Sequence, residues 1–302
     1  VFENGVVFKK INKTGTNYKA SGSMWQICPR SKSKKKNSIG KYKGAKKVTF
    51  KAKGKVTFDM DNIAGITIVA AHNQNIDISG ITFKNQNGNH YVEVNGSKDV
   101  NIHDCYFGKS KKSTREKYYM KEAINIDLAD KATHGLPLDW VKKDKTPCYN
   151  VTVENCIFKD NNNLCGDFTN ESTTSLGRGG AISVLNGGYL NVHDSTFVHN
   201  GAVIGQAICA YNTNYDNSTG GTPNLQIYNN EFVNHTITTN DTVFISEGNY
   251  TFRNNTFTNS PQTIGTDSNI IESNNVNLLK SLKIRSIVFN QPISDFNTVT
   301  QN

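Results

Sequence analysis

The sequence predicts an all-β solenoid, built from short units that are too small to bury an apolar face alone and therefore stack. The first observation is a template that recurs six times: two aliphatics alternating with polar residues, then Asn or Asp, then Phe. It reads ITFK at 81–84, VNIHDCYF at 100–107, VTVENCIF at 151–158, LNVHDSTF at 190–197, LQIYNNEF at 225–232 and YTFRNNTF at 250–257. The Phe spacings are 24, 51, 39, 35 and 25, so two lie near 24 and the others look like 24 plus an insertion. The second is a corner column, Gly80, Asp104, Asn155, Asp194, Asn229 and Asn254. Only residues that tolerate a left-handed backbone stand there, as a tight bend between strands requires. The third is composition. Hydrophobic residues make up 36% of the 302, which implies a thin core with much outward surface.

Residues 1–47 are hard to phase and are read as an irregular basic part, with Ser31–Lys47 as a polar loop or hairpin. The coils occupy 48–272. VTFKAKGKVTFDM (48–60) alternates in steps of two around Gly54, as two short strands with a turn would. Residues 66–83 and 91–107 then align almost residue for residue as strand, turn, strand, corner and short strand ending in Phe. Insertions follow at 108–121, 128–147, 161–179 and 212–223, and long loops on a rigid scaffold are where function tends to sit. The template fades near Ser273, and NLLKSLKIRSIVF (277–289) is apolar enough to cap the open end of the core. The whole is read as one domain, 1–302, with the cap at 273–302.

The net charge of +9 is unevenly placed. Residues 1–57 hold 16 Lys/Arg and one acid, Glu3, hence +15; the remainder holds 18 Lys/Arg and 24 acids, hence −6. Lys32, Lys34, Lys35, Lys36, Lys46 and Lys47 are read either as a docking patch for an anionic polymer or as a solubilising surface. No zinc spacing, aromatic-interleaved RNA motif or recognition-helix pattern occurs, so nucleic acid is not an expected partner. There is no CxxC pair among the six cysteines. Cys105 and Cys156 share one template position and stack within disulfide distance, but such ladders are ordinarily reduced packing. No run of 18 apolar residues suggests a transmembrane segment. Nine Asn-x-Ser/Thr triplets are compatible with a surface protein.

The stretches NGNHYVEVNGSKDVNIHDCYF, KEAINID and DKTPCYNVTVENCIF, between residues 85 and 160, resemble the right-handed parallel β-helix of the pectin-lyase-like superfamily. They are similar in particular to surface-associated repeat proteins of anaerobic Gram-positive bacteria and methanogenic archaea. GGAISVLNGGYLNVHDSTFVHN and GQAICAYN look like the adhesin-like repeats of methanogen surface proteins. The resemblance spans about residues 48–257. It implies the fold, a location outside the cell or on its surface, and a cell-surface polymer or glycan as partner. It does not fix the chemistry, because the superfamily holds lyases, hydrolases, tailspikes and adhesins. The Asn-Thr-Asp, Asp-Asp, Gly-His-Gly and Arg-Ile-Lys motifs of polygalacturonase-like members are absent.

Strand alternation gives the candidate site. Aligning residues 91–95 with 123–127 turns Val92, Val94, Ile124 and Ile126 inward and sends Glu93, Asn95, Asn125 and Asp127 outward. Glu93 and Asp127 then lie on a diagonal of roughly 8 Å, within the separation used by inverting glycosidases, and are the candidate catalytic pair. His90 and Glu122, at the edges of the same strands, join Asn95 and Asn125 as candidate ligand contacts. Tyr118, Tyr119 and Trp140 in the flanking insertions offer sugar-stacking surfaces. Glu93, Asp127 and Asp130 also cluster the oxygens that a calcium ion favours; no other cofactor is expected. Against all this stands the plain reading of the acids as solvated residues on a sheet face. The function expected is carbohydrate or polymer recognition at the cell surface. The alternative is a polysaccharide lyase or glycoside hydrolase working around Glu93 and Asp127.

Overall fold

A computed structural model describes residues 1–9, 23–27, 47–63, 65–110, 122–129, 146–164, 177–211, 223–237, 241–245, 249–261, 269–273 and 276–277. All regular structure among them is strand; there is no helix. The strands form sheets of fifteen, seven and two strands, and every strand pair is parallel. Partners are never consecutive in the chain: Lys98–His103 pairs with Gln74–Lys84 on one side and Tyr149–Glu154 on the other. Such an arrangement is compatible with a parallel β-helix.

Each repeat places one strand in the seven-stranded sheet and, in most repeats, two in the fifteen-stranded sheet. The seven-stranded sheet runs Ser23–Ile27, Ile66–Ala71, Val92–Asn95, Ile124–Asp127, Ile182–Leu185, Ile208–Tyr211 and Val243–Ile245. In the larger sheet burial alternates with period two. In Tyr189–His193, for example, Leu190 and Val192 are buried while Tyr189, Asn191 and His193 are part-exposed. That alternation is why these Asn-, Thr- and His-containing segments are strands with one wet face.

The six template Phe residues form one stack in the core. Each is fully buried. Successive ring centroids lie 4.8, 4.9, 4.9, 4.9 and 4.7 Å apart, all within 13° of parallel. The stack ends at Phe58, which meets Phe83 edge-on at 5.5 Å and leads into an aromatic cluster with Phe2, Phe8, Trp25 and Phe50.

The corner column is as expected: Gly80, Asp104, Asn155, Asp194, Asn229 and Asn254 all have φ between 48° and 72°. Asn155 donates to Asp104, Asn229 to Asp194 and Asn254 to Asn229, so the side chains tie repeat to repeat. A second left-handed column, Asn85, Lys109, Asp160, His199, Asn234 and Asn259, lies two residues after each Phe. Just past it, Asn161 and Asn200 turn inward and donate to the carbonyls of Phe107 and Phe158, each at 3.0 Å. Buried amides there satisfy carbonyls that the bend removes from the ladder.

Two details differ from the sequence reading. Val48–Asp59 is one strand, not two; its register with Gln74–Lys84 slips between Lys51 and Val56. Regular structure also begins before residue 48, since Val7–Lys9 pairs with Thr57–Asp59 and Ser23–Ile27 with Ile66–Ala70. Cys105, Cys148, Cys156 and Cys209 are buried thiols. Most of the residues read as a cap lie outside the described part. No helix of the described residues is long and apolar enough to cross a membrane.

Candidate ligand-binding face

Register fixes the outward side of the seven-stranded sheet. One column runs Val69, Glu93, Asn125, Ser183, Cys209, Phe244. The next begins Ala71, Asn95, Asp127 and resumes with Leu185 paired to Tyr211. Glu93 pairs with Asn125 and Asn95 with Asp127, so Glu93 and Asp127 lie on the diagonal of that four-residue square. Ala181 and Ala207, just before the strands that carry Ser183 and Cys209, belong to the main core.

The expectation of a solvated face is corrected. Glu93 and Asn95 are 2% exposed, Asn125 5%, and Ser183 and Cys209 not at all; Asp127, Tyr211 and Phe244 keep partial access. Val69 and Ala71 form with Ile66 an apolar cluster separate from the main core. The polar centre therefore lies between apolar shoulders, Val69 and Ala71 on one side, Leu185 and Cys209 on the other. Within it Asn95 Nδ2 donates to Glu93 Oε1 at 2.7 Å. Asp127 Oδ1 accepts from the Leu128 amide at 2.7 Å and from Asn186 Nδ2 at 2.8 Å. Asn125 Oδ1 and Ser183 Oγ, on paired residues, are buried without a hydrogen-bond partner among the described residues.

At the edge of this face sits Glu122, fully buried. Its Oε2 accepts from Asn163 Nδ2 at 3.1 Å and lies 3.7 Å from His90 Nδ1. Burial pushes its carboxyl up to about 8; the Arg178 charge and the Asn163 bond oppose that rise, and Asp127 adds to it. At neutral pH Glu122 is therefore mainly a neutral acid. Arg178, 2% exposed, places its guanidinium 4.6 Å over the Tyr211 ring, a cation–π contact worth most when desolvated. Burial pushes the Cys209 thiol up to about 12, so it is no nucleophile.

Local backbone explains how Arg178 arrives. A Cβ at Gly177 would lie 1.8 Å from the Asn163 carbonyl oxygen, and one at Gly179, where φ is +62°, 2.1 Å from that of Ile182. Only glycine lets the chain press this closely against its neighbours. Arg178, Asn163 and Ser183 were not singled out from the sequence; the glycine-flanked arginine in a chain with five arginines was the available signal. Of the expected contacts, His90, Glu93, Asn95, Glu122, Asn125 and Asp127 lie on this face or at its edge. Tyr118, Tyr119, Trp140 and the calcium candidate Asp130 lie outside the described residues. No group of three or more His, Cys, Asp or Glu able to hold a metal occurs among the described residues.

No protein-family model matches the chain, and no curated protein matches its sequence. The geometry of the face therefore carries the functional reading.

Proposed function

We propose that this chain is a right-handed parallel β-helix of the pectin-lyase-like kind, displayed outside the cell, that recognises carbohydrate on the face around Glu93, Asn125 and Ser183. The observation that supports this is the hydrogen-bonding capacity left open at Asn125 Oδ1 and Ser183 Oγ, on neighbouring strands, between apolar shoulders. Asn125 is 5% exposed and Ser183 not at all, so a ligand must first displace what covers the face. Leaving a buried polar atom unsatisfied costs about 1–3 kcal/mol, a cost that a hydroxyl-bearing ligand admitted in this way would offset. Sugars combine hydroxyl edges with apolar C–H faces, and sites of mixed lining suit them. The test is a glycan array followed by calorimetry on the best hit. Ser183→Ala and Asn125→Ala should weaken binding at least about tenfold while leaving stability unchanged or higher. An array without hits, or variants that bind as wild type, would refute the reading.

A second reading, glycan cleavage, is favoured by one specific feature: a neutral Glu122 close enough to feel the charge of Asp127. Groups held in different protonation states are the material of acid–base catalysis. In this reading Glu122 gives its proton to the glycosidic oxygen, while Glu93 and Asp127 supply the carboxylates that activate water and steady the developing cation. Mass spectrometry of array hits incubated with wild type, Glu122→Gln and Asp127→Asn decides it. Product from wild type alone would support cleavage; no product would leave a binding site.

A further inference from the structure

We infer that the outer side of strand Val48–Asp59 is a second contact surface, separate from the face above, that docks a linear acidic polysaccharide. Alternation places Lys47, Lys51, Lys53 and Lys55 on odd positions of one continuous segment. All four are exposed, while Phe50 between them and Val56 just after them are buried. Successive odd positions in an extended strand are spaced by roughly 6.7 Å, which sets the Lys51–Lys53 step. Gly54, at φ +82°, bends the chain before Lys55, and all four lysines stay on one exposed segment.

The row is held on both sides. The Lys51 carbonyl accepts from the Phe2 amide at 2.7 Å, the Lys53 amide donates to the Phe2 carbonyl at 2.8 Å, and the Lys55 amide donates to Asn4 Oδ1 at 2.8 Å. On the other side Lys51 pairs in register with Ser79. The slip between Lys51 and Val56 sets five residue steps against two, Ser79 to Ile81, so the segment carrying Lys53 and Lys55 bows away from its neighbour. Lysines on a backbone fixed in this way lose less freedom on binding than lysines on a loose loop.

The positive charge is incompletely countered. Lys47 meets Asp77 at 2.9 Å, and Lys53 meets Glu3 at 3.6 Å with both side chains at least 70% exposed. Exposed pairs of that kind are weak. Lys51 and Lys55 make no ion pair within contact distance among the described residues, although the Lys51 charge helps hold the Asp104 carboxyl down. The surrounding sequence has the same sign, with +15 over residues 1–57.

Two features favour polysaccharide over nucleic acid. Of the sixteen cations in residues 1–57, fifteen are lysine, whereas planar bidentate recognition of phosphate favours arginine. The exposed positions between the lysines carry Thr49 and Gly54, with no aromatic ring to stack a base. A line of point charges instead complements carboxylate or sulfate groups repeating along a sugar chain.

The experiment measures binding of the full chain to polygalacturonate, to a sulfated polysaccharide and to a single-stranded oligonucleotide of matched charge, at low and high salt. Wild type should bind at least one acidic polysaccharide, more tightly than the oligonucleotide and less as salt rises. The triple change Lys51→Gln, Lys53→Gln, Lys55→Gln should weaken that binding about tenfold or more. The equally discharging triple Lys84→Gln, Lys98→Gln, Lys159→Gln should leave it within about twofold. No binding by wild type, equal loss in both triples, no loss in the first, or an oligonucleotide bound as tightly would each overturn the proposal. Neither triple touches Asn125 or Ser183, so failure here is distinct from failure of the carbohydrate-face reading.

Discussion

Phe107 and Phe158 stack at 4.9 Å with ring planes 7° apart, although they stand 51 positions apart in the sequence. The stack continues through both neighbours, so the middle ring has aromatic contact on each side. Phe158→Ala should therefore cost about 3–5 kcal/mol, the range for truncating a buried Phe. Urea unfolding measures it; a variant as stable as wild type would show that the column does not hold the core.

Glu122 gives a pH dependence of definite sign. Its carboxyl rises from an ordinary 4.5 to about 8 in the folded chain. Between those values the folded state holds a proton that the unfolded state has released. Its contribution to stability is complete below pH 4.5 and is lost as pH climbs through about 8. Glu122→Gln should remove that slope and be more stable than wild type at pH 8. Parallel urea midpoints for the two proteins across this range would indicate that Glu122 ionises normally.

His103 bridges Asp104 at 2.7 Å and Asp77 of the preceding repeat at 3.1 Å. Partial burial disfavours its charge, but the two carboxylates outweigh that and raise its pKa above 6.5. The stabilisation is thus fully present below pH 6.5 and fades as pH rises through the folded value. Both aspartates are held below their usual 3.8, so their share is present above that value and fades on further acidification. Proton NMR of the imidazole should show the raised titration in wild type and a return toward the ordinary value in Asp77→Asn. An unchanged His103 titration in that variant would refute the bridge.

Cys209 is fully buried and its thiol is pushed up to about 12. The folded protein at pH 8 should leave it unmodified by iodoacetamide, and urea should expose it to rapid alkylation. Mass mapping of the labelled residue checks this. Fast labelling in the native state would mean that the face opens.

The sequence made legible whatever repeats with fixed period. The Phe column, the first corner and the pairing of Glu93 with Asn125 all follow from alternation and from residues confined to one backbone region. The second corner was not legible, because Lys109 and His199 stand where the first column keeps Gly, Asn or Asp. Burial of Glu93 and Asn125 was not legible either: alternation gives the side on which a residue lies, not what covers that side. Arg178 reaches Tyr211 and influences Glu122 only through folding, and nothing local in the sequence connects them. The slip at Lys51–Val56 escaped because Gly54 between alternating residues reads equally well as a turn or as a bulge.

The amide rungs at the corners carry a mechanical consequence. Asn254 is tied to Asn229 and Asn259 to Asn234, each exactly one repeat away. Tension applied along the stacking direction of a solenoid would load these rungs together with the strand ladders beside them. Freeing the 25-residue repeat between Asn229 and Asn254 would release about 85 Å of slack at full extension. The 51-residue step between Asp104 and Asn155 would release about twice that at full extension. A longer interval between corner ties would thus act as extra rope stored between knots, lengthening the give of the chain.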